Sequence, residues 1–152
     1  MRIRRIALLV SLLLGGSLPL WAAGPPYQPP ASSLADLKEF QGRWKVTLHK
    51  INGKRAVEME EGPGFTFGRS KFRWRAPAAF YGDYWIDATT DPKRISMTFS
   101  QDDRSPLWKG IYRFEKDKIT IVLGFDDYPK QFERAGEKGT KTLLLVLERV
   151  RP

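Results

Sequence analysis

The chain has 152 residues, with 26 Lys and Arg against 17 Asp and Glu, one His and no Cys, a length that suits one domain. The missing Cys excludes disulfides, a thiol nucleophile and thiolate metal sites, and a lone imidazole excludes His pairs and triads. With 41% apolar and 12% aromatic residues and no low-complexity tract, the composition can fill a core.

Residues 1–23 place Arg2, Arg4 and Arg5 before the apolar run Ile6–Leu14, then the breakers Gly15, Gly16 and Pro19, then the small residues Ala22 and Ala23. This is the order of a secretory signal peptide, with cleavage expected after Ala22 or Ala23. The apolar run is about half of the ~20 residues that cross a bilayer as a helix, so an uncleaved anchor is the weaker reading. The expectation is an exported, monomeric protein of the periplasm or exterior, with no transmembrane span once mature. Cleavage removes three Arg and no acid, leaving 23 basic and 17 acidic groups, a net charge of +6 in place of +9. Such a charge serves solubility first, and it also attracts anionic components of a cell envelope.

Residues 24–33 hold Pro25, Pro26, Pro29 and Pro30, a stiff linker ahead of a domain over 34–152. Ser33 is expected to cap a short helix over Leu34–Gln41, with Asp36 as a capping-box-like acid and Leu37 and Phe40 on one face. Gly42 ends that helix. Beyond it the apolar period is two and turn signals return every 8–12 residues. Trp44, Val46 and Leu48 alternate with Lys45, Thr47 and His49, and Asn52-Gly53 marks a hairpin. Val57 and Met59 follow, then Phe65, Phe67, Phe72 and Trp74 opposite Lys71, Arg73 and Arg75. An apolar connection, Ala76–Gly82, precedes Tyr84 and Ile86; Thr89–Lys93 and Gln101–Pro106 are turns on either side of Ile95, Met97 and Phe99. Trp108, Tyr112 and Phe114 lead through Lys116-Asp117 to Ile119, Ile121 and Leu123, and a long loop, Phe125–Thr140, precedes a last strand at Thr142–Val150. The pattern predicts an all-β fold of eight or nine antiparallel strands. Sequential pairing of so many strands tends to close, which makes an up-and-down barrel the first choice and a two-sheet sandwich the second.

Gly42-Arg43-Trp44 after a short helix, together with Leu147-Glu148-Arg149 at the end, resembles the lipocalin arrangement, in which an Arg of the last strand packs across a Trp at the barrel floor. A closer resemblance covers roughly residues 37–150. Trp85-Ile86-Asp87 through Asp91-Pro92-Lys93-Arg94-Ile95, then Lys109-Gly110-Ile111-Tyr112 with Asp117 and Ile119, then Tyr128-Pro129 with Phe132, then Leu145–Arg149, are similar in order to small exported lipocalin-like domains of unknown function abundant in planctomycete bacteria. This chain has Tyr128 where those domains usually have Arg, Lys116 where they have Gly, and Gly124 where a Cys is common. The resemblance implies a fold and an exported location, and no activity.

Candidate chemistry is sparse. His49 falls by alternation on the polar face with Lys45 and Thr47, and a general base or metal ligand needs a partner and a pocket. Asp102-Asp103 and Asp126-Asp127 occupy turn-like segments that favour Asp for its own backbone hydrogen bonds, and no spaced calcium loop surrounds them. No nucleophile elbow, Ser-x-x-Lys or phosphate loop occurs, so the chain reads as a non-enzyme without metal or cofactor. Arg69, Lys71, Arg73 and Arg75 interleave with Phe72 and Trp74, but alternation sends rings and cations to opposite faces, which argues against nucleic acid. The interior is the remaining site. Trp44, Phe67, Phe72, Trp74, Tyr84, Phe99, Tyr112 and Phe114 are expected to point inward and line a site for a small apolar or amphipathic ligand, with Phe65, Trp108, Val57, Met59, Ile95, Met97 and Ile121 beside them. An eight-stranded barrel is barely wide enough for its own side chains, so a filled core with a basic outer face, serving as an envelope or interaction module, is the alternative.

Overall fold

A computed structural model of the protein describes residues 28–55, 64–75, 79–100 and 106–151. The signal segment, Pro25 and Pro26, the pair Val57 and Met59, and Asp102-Asp103 lie outside the described residues. A 3-10 turn at Ala31–Ser33 leads into one helix, α1 (Leu34–Phe40). Nine strands follow among the described residues: β1 (Gly42–Ile51), β2 (Lys54–Arg55), β3 (Gly64–Phe67), β4 (Lys71–Arg75), β5 (Ala79–Asp87), β6 (Arg94–Ser100), β7 (Leu107–Glu115), β8 (Lys118–Gly124) and β9 (Thr142–Arg149). All pairings are antiparallel, β3 to β9 run in sequence order, and β9 returns to β1. The fold is therefore a closed eight-stranded up-and-down barrel, with two-residue β2 as a short extension of β1. The sandwich is excluded, because β1 and β9 pair from Trp44–Arg149 to Ile51–Leu143.

The two-residue period makes this wall. Trp44, Phe65 and Trp74 stand side by side across β1, β3 and β4, and Tyr112, Ile121 and Leu145 across β7, β8 and β9, all of them buried. Closure leaves no long unpaired edge between first and last strands. Asn52 (φ 49°) and Gly53 (φ 75°) both take the left-handed backbone that a two-residue hairpin turn needs. At Gly82 the strands β5 and β6 approach so closely that a Cβ would sit 1.6 Å from the Thr98 carbonyl oxygen, and the Phe72 ring occupies the space a side chain would take.

Alternation along β1 does not run unbroken. A bulge between Val46 and Leu48 shifts the register against β9 by one residue, and the Thr47 hydroxyl donates to the Val146 carbonyl there (3.1 Å). Trp44 and Val46 face inward before the bulge; His49 and Ile51, opposite Leu145 and Leu143, face inward after it. The placement of His49 on the polar face and of Leu48 on the apolar face is thus corrected: one extra residue inverts everything downstream.

The helix start also differs from expectation. Ser33 makes no cap; its Oγ accepts from the Ala88 amide (2.9 Å). The Asp36 carboxylate turns to the barrel, accepting from Lys93 Nζ and from the Tyr112 hydroxyl, each at 2.8 Å. Both groups are used to dock α1 on the barrel end rather than to cap it.

The long loop is a strap on the outer wall. Tyr128 shares a hydrogen bond with Ser96 (2.7 Å) and lies beneath the Arg94 guanidinium (4.8 Å), Phe132 lies under Arg113 (4.7 Å), and Gly136 sits against Lys50 and Leu144. Its carbonyl accepts from the Gly53 amide. Ile111 and Val122 face outward under this strap and are fully buried.

Candidate functional site

The barrel interior is graded from floor to mouth. At the floor, Phe40 of α1 enters the barrel and meets Tyr112 (5.0 Å between ring centres), Phe114 (5.1 Å), Phe67 (5.3 Å) and Tyr84 (5.7 Å). The geometry is edge-on or tilted, as aromatic quadrupoles prefer. The Trp44 indole donates to the Phe40 carbonyl (2.7 Å), and the Arg149 guanidinium lies 4.2 Å above the Trp44 ring. Arg149 also donates to the carbonyls of Glu39 and Gln41 (2.6 and 3.2 Å). One cation thus holds floor, last strand and helix end together. The Tyr84 hydroxyl donates to the Gly68 carbonyl (2.6 Å), and burial pushes its ionisation well above the usual phenol range.

Of the residues expected to line a ligand site, Trp44, Phe67, Tyr84 and Tyr112 are 0–2% exposed, and Phe114 packs on Phe40 and Tyr112. These five are packing partners of the α1 plug, so the lining shifts away from them. Phe65 continues the filled part, stacked between Phe67 (5.3 Å, 10°) and Trp74 (5.0 Å, 14°).

Toward the mouth the packing opens. Trp74 meets Phe80 (5.7 Å) and Phe99 (6.1 Å), Phe99 meets Phe72 (5.1 Å) and Trp108 (5.4 Å), and Trp108 meets Phe125 (4.6 Å). Phe80, Phe99 and Trp108 are only half-buried although they join the core from its inner side. Phe72, 3% exposed and packed on Phe65 (5.9 Å) and Phe67 (6.2 Å), belongs with the filled part; Trp74 and Phe99 are the expected site residues that reach this ring. Phe125 and His49 are members that the sequence reading missed, and Phe80, read there as part of the apolar connection Ala76–Gly82, belongs to β5. For Phe80 a signal existed, since it continues the period of Gly82, Tyr84 and Ile86.

Two polar atoms stand out in this ring. The His49 imidazole packs edge-on to Trp74 (5.6 Å), and both Trp74 Nε1 and His49 Nδ1 are buried without a hydrogen-bond partner among the described residues. Leaving a buried donor unpaired costs about 1–3 kcal/mol, so such atoms ask for an explanation. Burial also lowers the pKa of His49 below its ordinary value of 6.5, which keeps the ring neutral near pH 7. A neutral imidazole protonated on Nε2 presents Nδ1 as an acceptor. A hydroxyl group can accept from such an indole N–H or donate to such an imidazole nitrogen.

The other candidates are ordinary. Asp127 accepts from the Tyr128 amide (2.8 Å), Asp126 lies 3.9 Å from Lys141 Nζ, and among the described residues no three His, Asp or Glu gather as a metal site would require. No helix among the described residues is long and apolar enough to cross a membrane. Comparison with protein-family models, with curated proteins and with solved structures finds no match to this chain.

Proposed function

We propose that this chain is an exported, lipocalin-like binding module that takes a small amphipathic ligand at the barrel mouth. The observation that carries this reading is the pair of buried nitrogens, Trp74 Nε1 and His49 Nδ1, unpartnered among the described residues and set beside the half-buried rings of Phe80, Phe99 and Trp108. The apolar body of the ligand lies against Phe80, Phe99 and Trp108; its hydroxyl or carbonyl meets the indole N–H. Export rests on the charged, apolar and small-residue order of residues 1–23, and the resemblance to small exported lipocalin-like domains points the same way.

The test is uptake of the neutral fluorophore N-phenyl-1-naphthylamine by the mature protein, with 1-decanol as competitor. Fluorescence should rise on mixing and fall as decanol displaces the probe. Phe99→Ala and Trp108→Ala should each weaken the probe about tenfold, whereas Trp74→Phe, which keeps the ring and deletes the donor, should spare the probe. Decanol should then bind Trp74→Phe about two- to tenfold less tightly, the worth of one net hydrogen bond. No rise with the wild type, or equal uptake by both Ala variants, would overturn the proposal.

A further inference from the structure

The register that lines the interior with rings builds a second feature on the outside. Arg43 pairs with Thr66 and Thr66 with Arg73 across β1, β3 and β4, and Lys45 and Arg75 stand two residues along their strands. Together with Val150 they border a cleft of about 480 Å³. Strand spacing and strand rise separate Arg43 from Arg73 by about 10 Å and Arg73 from Arg75 by about 7 Å at their α-carbons. Among the described residues none of these four cations makes an ion pair. The neighbouring carboxylates are engaged elsewhere: Glu148, opposite Lys45, is held by Lys118 (2.9 Å), and Asp83, opposite Lys71, is held by Lys71 (2.9 Å). The strap that covers the wall at β7–β9 contributes no residue here.

A concave surface with four unpaired cations concentrates anions beyond what net charge alone would do. Its shape narrows the class. Arg73 reaches over the ring of Tyr81 (5.3 Å), which is half-exposed on β5 in the same row. One flat ring beside spaced cations suits a sugar face flanked by acid groups. Single-stranded nucleic acid would need successive rings for successive bases, and a lipid surface would need a flat or protruding face rather than a cleft.

We infer that the cleft between Arg43, Lys45, Arg73 and Arg75 binds a segment of acidic polysaccharide, with Tyr81 taking a sugar ring. This stands independently of the mouth site, because the two lie on opposite faces of the same strands. The experiment is calorimetric titration of the mature protein with oligogalacturonate and with heparin at low ionic strength. Binding should weaken about tenfold or more in Arg73→Gln/Arg75→Gln and in Arg43→Gln/Lys45→Gln, and several-fold in Tyr81→Ala but not in Tyr81→Phe. The control Lys116→Gln/Lys130→Gln, which removes the same charge elsewhere, should bind as the wild type does. Since all these side chains are exposed, unchanged unfolding midpoints certify the variants. Equal weakening in the control would reduce the effect to net charge and overturn the proposal. So would tighter binding of oligo(dT) than of either glycan at the same salt, or binding to phosphatidylglycerol vesicles with none to the glycans.

Discussion

His49 shows how one residue can be misplaced by a single backbone event. In strict alternation it belongs with Lys45 and Thr47 outside; the bulge at Thr47 turns it inward against Trp74. Its burial has a consequence for stability. The folded state disfavours the charged imidazole, so the folded pKa lies below 6.5, and the unfolded chain takes up the proton first as pH falls. Stability from this group is therefore complete above about pH 7, is lost as pH falls through the unfolded value near 6.5, and levels off below the folded value. As the chain has only one His, the effect is separable. Urea unfolding at pH 7.5 and pH 5 should show a larger loss for the wild type than for His49→Gln; equal losses would mean that the imidazole is not buried. Nothing in the sequence marks a bulge, since Thr47 is as suited to plain strand as to a bulge, and the partner strand lies about 100 residues away.

At the level of elements, α1 is the least autonomous and the most consequential. Seven residues are too few to hold a helix in water, so it exists because Phe40 is seated in the barrel and Asp36 and Arg149 tie it down. Phe40→Ala should cost about 3–5 kcal/mol in chemical unfolding, the range for a fully buried Phe whose cavity cannot collapse. A loss below about 1 kcal/mol would mean that the plug is not part of the core. Strand positions were legible because ring and charge alternate in them, as in Phe72, Arg73, Trp74 and Arg75. The Asn52-Gly53 turn was legible because both residues tolerate positive φ, and Lys116 takes the same left-handed backbone (φ 55°) in the Lys116-Asp117 turn. The helix itself was visible, but its docking was not, because Ser33 and Asp36 satisfy a capping pattern and a tertiary contact equally well.

For the whole molecule, closure and filling are separate questions. Alternation and sequential pairing favour closure over a sandwich, and the β1–β9 pairing decides it. Filling depends on which residues enter from outside the strands, and Phe40 enters from a helix that alternation does not address. The outcome is a barrel solid at the floor, edged by half-buried rings at the mouth, strapped along β7–β9 and basic along β1 and β4, with β3 between them. The grading predicts different behaviour for two indoles of one chain: the Trp44 N–H is committed to the Phe40 carbonyl, whereas the Trp74 N–H has no partner among the described residues. The most direct measurement is an indole ¹⁵N–¹H correlation spectrum of the mature protein titrated with 1-decanol. The Trp74 signal should move downfield and saturate while the Trp44 signal stays fixed; an unmoved Trp74 signal, or both moving together, would contradict a hydrogen-bonding site at the mouth.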